Sequence, residues 1–416
     1  MIEMITNVNS AVNNVVWGWP ALILLGFTGV LMTSMTGFFQ LSHLGLWLKN
    51  TIGSIFSDRN ITRHTEDRSI SQFQSLCTAL AATVGTGNIV GVAGAIAVGG
   101  PGAVFWMWLI AFFGMMTNYS ENVLGILYRR KNSKDEWAGG AMYYLKDGLG
   151  ERKGCKKLGA GLAVLFSCFC LLASFGIGNM SQVNSMVSNV YTAFGIPKLA
   201  TGIFLFVAVS LVVIGGLKRI AAITEKVVPF MVLLYLLGTL DLTTGQLTGE
   251  AAAIESSALV SYAFGNHFGF LGSAFVAVAI LLFAYSTVLG WSHYGATACE
   301  YLFGTGATKI YRMVFAVVVL AGSVMKAQLA WDISDTFNGL MMLPNLIGVI
   351  TLSPVVMRCT KNYVARNLHG KDVEPMLSMF PEIQKMQEEA LKEELREDAD
   401  AAAKAYGEAS DSVVKG

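Results

Sequence analysis

The sequence predicts an all-α, polytopic membrane protein, and three observations predict it. Of 416 residues, 54% are hydrophobic and only 14% charged, against about 25% charged in ordinary soluble domains. The missing charge is concentrated: none lies between Glu3 and Lys49, between Arg68 and Glu121, or between Lys157 and Lys198. The remaining basic residues fall on alternate loops, as the positive-inside tendency requires of a multi-pass chain. A net charge of +1 gives no electrostatic footprint for nucleic acid. Cys77, Cys155, Cys168, Cys170, Cys299 and Cys359 are scattered, with neither paired metal-ligand spacing nor a disulfide framework, and the five histidines are equally dispersed. No leader peptide is recognisable before the first apolar run near Val15.

A span needs about 20 apolar residues, so the three charge-free gaps hold one, two and one helices. The second gap divides at Gly99-Gly100-Pro101-Gly102, where glycine ends one helix and proline opens the next. Further spans read as Leu199 to Leu217, Val227 to Leu240, Phe268 to Trp291, Tyr311 to Ala330 and Leu340 to Met357, about nine in all. With the N-terminus outside, 27 of the 29 basic residues fall inside and only Lys198 and Lys326 outside. The expected topology is therefore N-out and C-in. The transmembrane domain is expected over residues 1–357, followed by a charged cytoplasmic tail over 358–416. The tail run PEIQKMQEEALKEELREDADAAAKAYGEA mixes signs along helix-forming residues and reads as a solvated helix, with a docking element as the alternative.

Gly85-Thr86-Gly87-Asn88 lies in the middle of an apolar span. Glycine there weakens the helix and releases backbone groups that hydrocarbon does not satisfy. One reading is a broken helix lining a cavity, whose freed carbonyls meet a cation while the following half-helix offers N–H groups to an anion. The other is close helix packing through small residues. A nucleotide-binding loop is excluded, because GTGNIVG misses G-x-G-x-x-G by one residue and has no strand before it. No Ser/His/Asp set, metal cluster or phosphate loop points to an enzyme.

The stretch SQFQSLCTALAATVGTGNIVGVAGAIAVGGPGAVFWMW from Ser71 resembles the signature of the sodium:alanine (alanine or glycine:cation) symporter family. The resemblance continues through GGAMYYLKDGLG from Gly139, ASFGIGNMSQVNS from Ala173, GGLKRIAAITEKVVPFM from Gly215, LLFAYSTVLGWSHYG from Leu281 and WDISDTFNGLMMLPNL from Trp331. It implies a leucine-transporter-like bundle of inverted five-helix repeats, preceded here by one extra helix. It also implies a multi-pass protein of the cell membrane that couples a co-transported sodium ion to import of a small neutral amino acid, alanine or glycine, by alternating access.

By the same resemblance, the carbonyls of Ala81 and Val84 and the hydroxyls of Ser286 and Thr287 would hold sodium. Serine and threonine can instead bond back to their own helix carbonyls. Thr86 and Gly87 would offer N–H groups to the substrate carboxylate, with the Asn88 side chain nearby. Gln182 and Asn184 would line the pathway, the alternative for buried amides being glue between helices. Trp291 reads as an interfacial anchor, or else as part of the cavity wall. Glu121 reads as a boundary residue paired with a base, or else as a proton relay.

The resemblance has one interruption. In the family, the helix carrying VPFM is followed by a second broken helix containing Arg-Gly-Leu-Phe-Ser-Asn-Glu-Ala-Gly and then a further span. Here LLYLLGTL ends at Leu240 and runs directly into DLTTGQLTGEAAA, so the second repeat is expected to be incomplete. Val227 to Leu240 is about 21 Å of helix against a hydrocarbon core of about 30 Å, so it must borrow flanking residues. A shortened, transport-defective relative, or a deletion introduced in the gene model or assembly, is the alternative to a working symporter.

Overall fold

The computed structural model describes residues 2–57, 59–62, 70–239, 256–325, 327–393 and 396. Thirteen helices carry the described architecture: α1 (Ile2–Val16), α2 (Trp19–Met35), α3 (Gln72–Thr83), α4 (Val90–Gly99), α5 (Gly102–Leu127), α6 (Lys156–Phe175), α7 (Ser181–Phe194), α8 (Lys198–Val213), α9 (Gly216–Thr239), α10 (Ser256–Phe303), α11 (Ala307–Val324), α12 (Ala327–Thr351) and α13 (Ser353–Asn367). Among the described residues, five helices are long and apolar enough to cross a membrane, or up to eight if each bent pair is one span. The bent pairs are α3 with the segment from Thr86 (63°), α8 with α9 (117°) and α12 with α13 (58°).

Local chemistry accounts for the boundaries. Ser71 Oγ accepts from Gln74 N–H at 3.2 Å, and Gln74 Oε1 accepts from Ser71 N–H at 3.3 Å. This reciprocal cap starts α3. Gly100, at φ +69°, separates α4 from α5, at the glycine and proline cluster expected to divide them. A π-helical turn, Gly176–Met180, joins α6 to α7 inside one continuous apolar run. The charged residues Lys218, Arg219, Glu225 and Lys226 lie within α9, which begins at Gly216. The helix containing the span predicted from Val227 thus begins 11 residues earlier, at Gly216, and it passes for a span only together with α8. The join at Leu240 to Thr243 lies outside the described residues.

Burial follows the helical period. On α8, Thr201, Leu205, Val209 and Val212 are buried, while Leu199, Ile203, Phe204, Val207 and Leu211 are exposed, an apolar outward stripe of the kind a lipid-facing helix carries. One apolar cluster joins α3, α4, α9 and α10 through Cys77, Ala81, Val90, Met231 and Phe283. A second joins α7, α8, α10 and α11 through Met186, Leu205, Val288 and Phe315. The third gathers Tyr128, Tyr144, Leu145 and Val356, with Met376, Met379 and Phe380 packed against it.

That last contact comes from residues just ahead of the charged run that begins at Pro381. Met379 N–H and the Ser378 hydroxyl donate to Leu127 O, at 3.0 and 3.4 Å, satisfying a carbonyl left free at the end of α5. Phe380 meets Tyr128 edge-on and lies under the Arg130 guanidinium, 4.8 Å from the ring centre. Gln384 Oε1 accepts from Leu377 and Ser378 N–H, at 2.9 and 2.7 Å. The apolar Met376, Met379 and Phe380, just ahead of the charged run, anchor this segment before the helix at 381–393.

Candidate functional site

The helix through Thr83 stops because Thr83 and Val84 are β-branched and Gly85 follows, three residues of poor helix propensity. Val84 and Gly85 leave helical geometry, and Thr86–Asn88 forms one 3-10 turn before α4 resumes. The last carbonyls of α3 are therefore orphaned. Thr287, on α10, meets them: its hydroxyl donates to Ala81 O at 2.9 Å and lies 3.4 Å from Val84 O. Two carbonyl oxygens and one hydroxyl thus converge at the negative end of a half-helix, an arrangement suited to a small cation.

Two glycines make this approach possible. A Cβ at Gly290 would lie 2.7 Å from Ala82 Cβ, so α10 meets α3 backbone to backbone; a Cβ at Gly85 would lie 2.7 Å from Thr287 Oγ1 and 3.2 Å from Gln182 Oε1. Any larger residue at either position pushes the oxygens apart.

Gln182, on α7, braces the break from the other side. Its Oε1 accepts from Thr86 N–H at 3.2 Å and from the Thr86 hydroxyl at 2.8 Å, while its Nε2 donates to Ile177 O at 3.0 Å. Thr86 is fully buried by this contact. Asn88 folds back so that its Oδ1 accepts from Gly85 N–H at 3.3 Å. Gly87 is exposed and borders a cavity of about 820 Å³ that Gly85, Asn88, Gln182, Thr287 and Trp291 also line. The cavity continues past Asn118, Glu121 and Gly125 of α5 to Arg129 and Trp137.

The structure thus brings Ala81, Val84, Thr86, Gly87, Asn88, Gln182 and Thr287 together. Two expected site residues lie elsewhere. The Ser286 hydroxyl donates to Phe283 O at 2.9 Å and sits 3.3 Å from Met231 Sδ; successive helix positions are about 100° apart, and this one turns toward α9. Asn184 donates to Gly322 O (3.3 Å) and Met325 O (2.7 Å), tying α7 to the end of α11 rather than facing the cavity. Two further readings are corrected. Glu121 accepts from the Asn345 amide at 2.6 Å, not from a basic side chain. Trp291 lines the cavity, with its ring edge-on to Tyr294 and packed against Gly178, where a side chain would have no room. The apolar pattern did not single out the stripe Trp331, Asn338, Met341 and Asn345 on α12, which also lines the cavity. Its signal was present as polar positions at helical spacing in WDISDTFNGLMMLPNL. Among the described residues, no group of three or more His, Cys, Asp or Glu side chains gathers to hold a metal.

Comparison with known proteins gives a consistent similarity. The profile of the sodium:alanine symporter family matches residues 2–254 and 240–376. The sodium/alanine symporter AgcS of Methanococcus maripaludis is 35% identical, over 87% of this chain and 98% of its own. A transporter of Haemophilus influenzae is 33% identical, over 87% and 97%, and the amino-acid carrier protein AlsT of Bacillus subtilis 29% identical, over 88% and 94%. The AgcS alignment spans 453 positions, whereas 87% of 416 residues is about 362, so roughly 90 positions have no counterpart here.

Proposed function

Because the chain belongs to the sodium:alanine symporter family, whose members are transporters and not enzymes, we propose that it imports a small neutral amino acid, alanine or glycine, across the cell membrane with sodium. The observation that carries this reading is the convergence of Ala81 O, Val84 O and Thr287 Oγ1 at the break in a buried helix, beside the cavity.

Sodium would sit among those three oxygens, with the Thr287 hydroxyl turning its hydrogen away from Ala81 to present a lone pair. The substrate carboxylate would meet Gly87 N–H at the start of the second half-helix, where the dipole is positive. Gln182 then acts as a brace that holds Thr86 and so the shape of the break. Asn184 keeps α7 on α11. Sodium and carboxylate bind opposite ends of one interruption, so each favours the geometry the other needs, which is the coupling that symport requires. The positions without counterpart are assigned to the second broken helix and its successor.

The test is uptake of labelled alanine into proteoliposomes holding this chain, with an inward sodium gradient compared against potassium. Sodium-dependent accumulation is expected. No uptake from folded, correctly oriented protein, while AgcS works in parallel, would sink the reading.

A further inference from the structure

The cavity wall carries a carboxylate that the sodium and substrate positions above leave unused. Glu121 lies on α5, where the lining residues Asn118, Glu121, Asn122 and Gly125 follow one face of the helix toward Arg129 and the basic loop beyond its end. Across the cavity, Tyr144 OH donates to Asn345 Oδ1, and Asn345 Nδ2 donates to Glu121 Oε1 at 2.6 Å. The phenol fixes the amide orientation, so Asn345 presents its NH2 group to the carboxylate. The amide occupies Glu121 Oε1, so the lone pairs of Oε2 remain for a further partner.

The other charged or titratable groups on the wall do not neutralise it directly. Arg129 lies just past the end of α5, with its guanidinium over the Trp137 ring at 4.3 Å. His293 and Tyr294 come from α10, and Cys170 from α6. A carboxyl group beside amides and a phenol, in a cavity that also reaches the broken helix, fits a cation with a preference for oxygen.

We propose that Glu121, positioned by Asn345 and Tyr144, is a second position for a monovalent cation in the cavity, either sodium or the ammonium group of the amino acid, between the broken helix and the basic loop. It rests on the transport reading above and adds a way-station to it. A cation leaving Ala81, Val84 and Thr287 is received by Glu121 before it meets Arg129, whose positive charge turns it toward solvent.

The experiment is equilibrium binding of radiolabelled sodium, and separately of labelled alanine, to the purified full chain in nanodiscs. Wild type is compared with Glu121→Gln, Asn345→Ala and Thr287→Val, each checked for folding by gel filtration; Asn345→Ala decides the matter if Glu121→Gln does not fold. If sodium is the ligand, the wild-type isotherm has two components. Glu121→Gln removes one, Thr287→Val removes the other, and Asn345→Ala weakens the Glu121 component about tenfold, the scale of one charged hydrogen bond. If the ammonium is the ligand, Glu121→Gln leaves sodium binding alone but weakens alanine about tenfold without changing the binding of propionate, which lacks the amine. Sodium and alanine binding both unchanged in Glu121→Gln and Asn345→Ala would overturn the proposal while leaving the transport reading intact. Sodium binding unchanged in Thr287→Val would instead strike the sodium assignment at the broken helix.

Discussion

Thr287→Val tests the cation site with the smallest change of shape. Valine keeps the volume and the β-branch, so the packing around fully buried Ala284 and Val288 survives, and only the hydroxyl oxygen is lost. In the folded protein Ala81 O then loses its donor at 2.9 Å. A buried carbonyl left unsatisfied costs about 1–3 kcal/mol, and hydrogen bonds between membrane helices average about 0.6 kcal/mol, so the fold survives with modest loss. The effect on sodium is larger, because one of three converging oxygens disappears. At about 1.5–3 kcal/mol for a charge-assisted contact, sodium affinity falls roughly 10- to 150-fold, at 1.36 kcal/mol per tenfold. The assay is the sodium dependence of labelled alanine uptake in proteoliposomes, read as the half-saturating concentration. That concentration is expected to rise by at least tenfold, while Ser286→Ala, whose hydroxyl bonds its own helix, changes it less. An unchanged sodium dependence in Thr287→Val would refute the assignment of these oxygens.

Gly85→Ala places a methyl 2.7 Å from Thr287 Oγ1; sodium-dependent uptake should be lost, with an overpacking cost of about 1–3 kcal/mol visible as a lower melting temperature. The two α7 amides separate in the same assays. Gln182→Ala frees Thr86 and should raise the half-saturating alanine concentration about tenfold, whereas Asn184→Ala should lower thermal stability and leave that concentration unchanged. Phe380→Ala removes the ring that meets Tyr128 and Arg130. Limited trypsin digestion should then cut at Lys385 and Lys392 earlier than in wild type, and an unchanged digestion rate would argue against docking of this segment.

The break at Gly85 to Asn88 was legible because glycines in the middle of an apolar run leave few options for the backbone. The boundary at Gly100-Pro101 was legible for the same reason. What the sequence did not disclose depends on side-chain direction. Ser286 and Thr287 are neighbours in the chain, yet their hydroxyls take partners on different helices. Gln182 and Asn184 share one helix, yet one braces the cavity and the other glues α7 to α11. Trp291 sits at the end of a predicted span, where an interfacial position is the ordinary expectation, and the glycine that accommodates it, Gly178, lies 113 residues away in the chain. Glu121 needed Asn345, 224 residues away in the chain, before its role as an amide-bound carboxylate was visible.

The docked segment after α13 bears on how this chain is to be divided. The family match stops at residue 376, but Ser378, Met379, Phe380 and Gln384 are bonded or packed to the helical body or to the turn that reaches it. Homology and folded body therefore end at different places. A chain shortened to the limit of homology would uncover the Leu127 carbonyl and the Tyr128 ring together, and any comparison of such a fragment with the full chain would measure that exposure first. The safer cut keeps at least the described helix at 381–393 that follows the anchor.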